Sequence, residues 1–296
     1  GNDALTVNTG SGNTAVGYQA GIAVSTGATN TLLGSEAGLA LTTGENNVAV
    51  GYETLKNEDA HGANTALGTQ ALFTQNAGAD AYNVAVGFQA GAGVTTGTNN
   101  TLIGALAGDA LTTGSLNTAI GKTALGSDTQ GSRSIAVGRY ALGTQNFTTA
   151  TDSYNVAMGY AAGGAVTTGR MNILYGGEAG DALNTGNSNV AIGHQALSTD
   201  SKGDNSVAIG DQALKTQNFT TSTDAYNVAV GALAGTAVTT GIQNTLIGGL
   251  AGDALTDADY NVAVGVYALS ADTKGSKSVA IGRAALAAQN QTSSAD

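Results

Sequence analysis

The chain has 296 residues, of which 42% are hydrophobic and only 10% charged, with 45 glycines and neither proline nor cysteine. A net charge of −11 repels phosphate backbones and argues against generic nucleic-acid binding. The absence of cysteine excludes disulfides, thiolate metal sites and a thiol nucleophile.

The first elements met along the chain are NTAVGYQAG at 13–21, NTLLGSEAG at 30–38, NVAVGYETL at 47–55 and NTALGTQAL at 64–72. The glycine at their centre recurs sixteen times, from Gly17 to Gly282, every 17 residues except after each fourth copy, where the step is 19, 21 and 21. The longer steps carry related insertions, FTQNAGADAY (73–82), GTQNFTTATDSY (143–154) and KTQNFTTSTDAY (215–226). A fixed short period of this kind is the signature of a stacked repeat fold. We therefore read one repeat domain over 1–296, in super-repeats at 13–82, 83–154, 155–226 and 227–296. The opening GNDALTVNTGSG resembles the end of a second-type coil, so neighbouring domains or stacked copies are expected to cover the ends.

Each coil is predicted to hold a strand, a tight turn at the central glycine, a second short segment and another turn. After Asn the next residue is β-branched, as in Thr14, Val84, Ile135 and Val228, and two positions later another apolar residue follows, as in Val16, Leu67 and Ile281. The residue between them is Ala, or Leu at Leu32, Leu102, Leu174 and Leu246. A surface strand would alternate apolar with polar, so both faces are expected to be covered. The reading is an all-β parallel β-solenoid (β-roll) of sixteen coils of about 17 residues. The branched face is expected inside, and the Ala/Leu face against copies of the same chain. At ~4.8 Å per coil such a stack would extend roughly 75–80 Å.

The strings NSVAIG (205–210), KSVAIG (277–282) and RSIAVG (133–138) resemble head repeats of trimeric autotransporter adhesins. The longer NTAVGYQA (13–20) and NVAVGFQA (83–90) are similar to repeats of bacteriophage tail fibres. The resemblance implies a trimer of parallel β-rolls that works at a surface. The 17-residue coil and the four-coil period favour the fibre over the adhesin. The function expected is a non-enzymatic structural and attachment protein, the shaft or head of a virion tail fibre, extracellular and displayed on a virion or cell surface. The alternatives are a bacterial surface adhesin head and an extracellular filament subunit stacking end to end. Expected partners are copies of the chain and a cell-surface glycan or protein receptor, with no nucleic acid and no membrane insertion.

Candidate sites follow from the repeat positions. The Asn column, with Ser134, Ser206 and Ser278, reads as a hydrogen-bonded amide ladder. Glu58, Asp128, Asp200 and Asp272, like Asp109, Asp181 and Asp253, read as a solvated acidic face, and no metal site is expected. The exposed binding candidates are Tyr18, Tyr52, Phe88 and Tyr160 after the glycine, and the long-loop residues Phe73, Gln75, Asn76, Gln145, Asn146, Phe147, Gln217, Asn218 and Phe219. Loops on a rigid scaffold are where binding concentrates. No catalytic residues and no cofactor are expected, since His61 and His194 occupy unrelated repeat positions.

Overall fold

The strand of each coil begins where a branched residue follows Asn or Ser and ends at a position that only glycine can fill. In the computed structural model, which describes residues 1–293, the strand-ending glycines hold φ between 122° and 141°. A Cβ on Gly17 would stand 2.2 Å from the carbonyl oxygen of Gly34, one coil on. Neither the conformation nor the stacking distance admits a side chain. The described residues are all β, turn and bend, without a helix.

The chain folds as two compact units, Gly1–Ser153 and Tyr154–Asp296. In the first, strands Thr14–Val16, Thr31–Leu33, Val48–Val50, Thr65–Leu67, Val84–Val86, Thr101–Ile103, Thr118–Ile120 and Ile135–Val137 pair in parallel, each with the next. In the second, Val156–Met158, Ile173–Tyr175, Val190–Ile192, Val207–Ile209, Val228–Val230, Thr245–Ile247, Val262–Val264 and Val279–Ile281 do the same. The pairing is strictly in register, Thr14 beside Thr31 and Val262 beside Val279. Both units are parallel β-solenoids, as the spacing predicts. The super-repeat assigned to 227–296 includes residues 294–296, which lie outside the described residues.

The side-chain sense of the strands is the reverse of the expectation. The central residue of the strand points into the coil: Leu32, Ala49, Ala85, Leu102, Ala119 and Leu174 are fully buried. The flanking branched residues point outward and are exposed or half-exposed. A three-residue strand with period two puts its centre on one face and its ends on the other, and apolarity at all three positions does not say which is inside. The observed burial decides: the central column is the inward one. Three residues after the strand glycine, Ala20, Ala37 and Ala71 are also fully buried.

The four-coil sequence period has a packing cause. At the corner after the turn, Gly21 and Gly38 have φ of 60° and 59°, yet Leu55 and Leu72 hold φ of 50° at the same repeat position. Backbone conformation therefore does not explain the glycines. A Cβ on Gly21 would meet Leu32 Cδ1 at 2.5 Å, and one on Gly38 would meet Leu32 Cδ2 at 2.9 Å. The larger strand residue needs glycine in its own coil and in the one before; in the third and fourth coils, where neither that coil nor the next carries a strand Leu, a corner Leu fills the space. Leu5 corrects the reading of the opening residues. Its Cδ2 lies 3.1 Å from the Cβ position of Gly21, as Leu72 Cδ2 lies 3.0 Å from that of Gly91. Leu5 thus occupies the place of a fourth-coil leucine, and the segment is not the end of a second-type coil.

Candidate functional site

Two regions present chemistry outward: the strand face and the loops of the long coils. Along the strand face the outer positions hold only Thr, Val, Ile, Leu, Met and Tyr, with no charge in either unit. Val16, Leu67, Ile103 and Ile120 are exposed in the first unit, and Met158, Ile173, Tyr175, Ile247 and Ile281 in the second. Tyr18, Tyr52, Phe88 and Tyr160 lie just beyond the strand glycine and are exposed, as expected. Sequence reading missed Tyr82, Tyr154 and Tyr226, which flank the other end of the strand and are 57%, 50% and 52% exposed. Their signal is a Tyr before the Asn after each long insertion, at a position where the backbone takes φ of 48–52°. An uncharged ribbon of this kind, repeated over eight strands per unit, is unusual on an isolated soluble chain.

The long loops fold back rather than project. Thr151–Asp152 pairs in parallel with Gly131–Ser132, and Thr223–Asp224 with Gly203–Asp204. This return carries several predicted binding residues inside. Gln75, Gln145 and Gln217 are fully buried, and Phe147 and Phe219 are buried too, so these five are not exposed binding residues. Phe73 is half-buried, under the Lys56 ammonium 5.8 Å from its ring. Asn76 is exposed, while Asn146 and Asn218 are half-buried and accept hydrogen bonds from Thr129 Oγ1 (3.0 Å) and Ser201 Oγ (3.1 Å). The loop surface itself is made by Thr148, Thr149, Thr220, Thr221 and Ser222.

The acidic residues of the third coils are also inside. Asp128, Asp200 and Asp272 are fully buried, as is Glu58, so they do not form a solvated face. Their partners explain how an anion is tolerated there. Asp128 Oδ1 accepts from Gly131 N (3.0 Å) and Phe147 N (3.0 Å), and Gln145 Nε2 donates to its Oδ2 at 2.6 Å. Asp200 repeats the pattern with Gly203 N, Phe219 N and Gln217 Nε2. Asp272 repeats it with Gly275 N, Gln291 N and Gln289 Nε2. Burial pushes the Glu58 carboxyl above its ordinary range, and it does the same to Asp109, Asp181 and Asp253.

The Asn column behaves as expected. Asn30 N donates to Asn13 Oδ1 (2.9 Å), Asn47 N to Asn30 Oδ1 (2.9 Å), and Asn30 Nδ2 to the Gly44 carbonyl (2.8 Å). Each amide is spent on its neighbours, which makes the column a structural ladder. Among the basic residues, Arg133 pairs with Asp152 (3.1 Å) and Lys274 with Asp257 (3.6 Å), while Lys56 bridges Glu36 and Glu53 at 2.7 Å each. These are surface pairs of small energetic weight. Comparison of the chain with protein-family models, curated proteins and solved structures finds no match.

Proposed function

We propose that the chain is a structural attachment protein. In this reading it is an extracellular fibre module, shaft or head, displayed on a virion or cell surface. Copies associate as a homotrimer through the outward strand face. The loops of the long coils are offered to a glycan or protein receptor once per super-repeat. The observation that carries this reading is the exposed strand face: two columns of branched and aliphatic side chains without a charge, in register over eight strands in each unit. Such a face gains by burial at about 25 cal/mol per Å² of apolar area, and a second copy of the same face offers a complementary surface. The Ala/Leu column takes no part, because it is already used inside the coil.

Attachment is supported by what the loops leave outside. Thr148, Thr149, Thr220, Thr221 and Ser222 supply hydroxyls, and Tyr154 and Tyr226 supply rings nearby in sequence. Hydroxyls and an aromatic face are the groups that bind sugars, by hydrogen bonds and stacking. The repeat motif's likeness to tail-fibre sequences agrees with this use. Light scattering tests the assembly: a mass about three times 28.8 kDa is expected at micromolar concentration, and a mass of one chain overturns it. A glycan array and a cell-binding assay on the labelled protein test the attachment, and silence in both overturns that part alone.

A further inference from the structure

One coil departs from the others where a buried acid meets the turn. In three coils the acid is followed three residues later by glycine: Asp128 by Gly131, Asp200 by Gly203 and Asp272 by Gly275. The glycine is obligatory there, because a Cβ on Gly131 would stand 2.0 Å from Asp128 Oδ2, with 2.1 and 2.2 Å at the other two. The corresponding segment of the first unit reads Glu58-Asp59-Ala60-His61. Here the acid is a residue longer in reach, the hydroxyl residue that follows it elsewhere is an aspartate, and the glycine is a histidine. Ala77 also stands where Phe147 and Phe219 stand. A side chain at position 61 needs that change, since a Cβ on Gly203 would lie 3.0 Å from the Phe219 ring.

The changes produce a different chemistry. The buried Glu58 accepts from His61 N at Oε1 (3.1 Å) and from Ala77 N at Oε2 (3.3 Å). Gln75 turns its Nε2 to Asn64 Oδ1 (3.1 Å), where Gln145 and Gln217 hold the acid. His61 Nδ1 is shielded from water and makes no hydrogen bond. It lies 3.7 Å from Glu58 Oε1. One ligating atom each from Glu58, Asp59 and His61 fall within 4.8 Å of one another.

We propose that Glu58, Asp59 and His61 form a binding site for a divalent transition-metal ion of the zinc class. Bonds of about 2.1 Å in tetrahedral geometry place ligand atoms roughly 3.4 Å apart. The Glu58–His61 separation of 3.7 Å is already close to that, and rotation of the Asp59 side chain closes the rest. Each Glu58 oxygen keeps a lone pair beyond its one backbone hydrogen bond. Imidazole with carboxylates selects zinc-like ions over calcium, which requires six to eight oxygens. The ion would neutralise the buried carboxylate, occupy the orphaned Nδ1 and leave at least one position for water. All three ligands come from this one turn, which the next coil already holds through Gly62 N donating to Asp80 Oδ1 (2.9 Å).

Titration of the chelator-stripped full chain with zinc chloride at pH 7.5, followed by calorimetry, tests the site. Saturable uptake of one ion per chain is expected, with a rise in Tm on loading. The triple variant Glu58→Asp, Asp59→Thr, His61→Gly reproduces the Asp-Thr-x-Gly pattern of 128–131 and should bind at least tenfold more weakly. His61→Asn keeps a Cβ and removes the imidazole, and it carries the comparison if the triple variant fails to fold. No saturable uptake by the parent chain, or less than tenfold weakening in the folded variant, overturns the proposal.

Discussion

Gln145 donates from Nε2 to Asp128 Oδ2 across 2.6 Å, and neither side chain is reached by solvent. Gln145 also reaches Ser134 Oγ at 2.8 Å, so one amide ties the acid of the third coil to the ladder of the fourth. Removing an acceptor from a buried set of donors costs about 1–3 kcal/mol per orphan, and more near a charge. Asp128→Ala orphans Gly131 N, Phe147 N and Gln145 Nε2 together and is expected to be the most damaging change here. Gln145→Leu leaves a buried carboxylate short of one donor and should cost about 1–3 kcal/mol. Asp128→Asn keeps the Oδ1 acceptor, and a flipped Gln145 can offer Oε1 to its new amide, so it should cost least. Urea melts of the three variants check the order, and a neutral Asp128→Ala would refute it.

Leu102 governs two glycines. A Cβ on Gly91 would stand 2.6 Å from Leu102 Cδ1, and one on Gly108 would stand 2.8 Å from Cδ2. Gly91→Ala is expected to destabilise by about 1–3 kcal/mol through overpacking. Leu102→Ala alone should cost about 2–5 kcal/mol through the cavity it leaves. The double variant should lose clearly less than the sum, since the added methyl enters the emptied space. Additive losses in a double-mutant cycle would show that backbone strain, and not Leu102, sets the glycine.

These two relationships also show how far the sequence is legible. The coil length, the parallel stacking in each unit, the strand glycines and the Asn ladder follow from spacing alone, because each imposes a constraint that repeats in every coil. The inward residue of the strand does not follow, since Thr14, Ala15 and Val16 are all compatible with burial. Asp128 and Gln145 are misread for a related reason: polarity predicts exposure unless a partner is visible. That partner is 17 residues away, on the next coil. Phe147 is misread as a projecting ring because its loop returns to pair with Gly131–Ser132, and no local signal marks that return. His61 is invisible as a ligand until the acid that precedes it by three residues is known to point inward.

The shielded carboxylates set a pH dependence. Burial raises the Asp181 and Asp253 carboxyls above their ordinary range, and the Oδ1 of each is sealed from water with no hydrogen-bond partner. An acid whose folded pKa is raised binds more protons in the folded than in the unfolded chain, so stability falls as pH rises from about 3.8 through the folded value. Above that value the penalty is complete. Asp181→Asn with Asp253→Asn is expected to raise Tm at pH 7 and leave it unchanged at pH 3.5. Solvent still reaches both residues, so the gain should be no more than about 2 °C. Thermal melts at the two pH values decide it: an equal Tm at pH 7, or an equal gain at both, would contradict the linkage.

The strand face yields the most direct test of assembly. Ile103 and Ile120 are paired neighbours on adjacent strands of the first unit, and each is exposed. Both side chains point away from the interior, where Leu102 and Ala119 lie, so arginine at these positions leaves the coil's own packing intact. In a self-associated face, two guanidinium groups per chain would be desolvated against apolar columns without a counter-charge, which association cannot sustain. Ile103→Arg with Ile120→Arg is therefore expected to reduce the mass by light scattering to a single chain, while the circular dichroism spectrum stays that of the parent. Thr148→Arg with Thr149→Arg adds the same charge on the exposed loop and should leave the mass unchanged. If the strand-face variant keeps the parent's oligomeric mass, the interface lies elsewhere; if the loop variant dissociates as well, net charge rather than the face controls association.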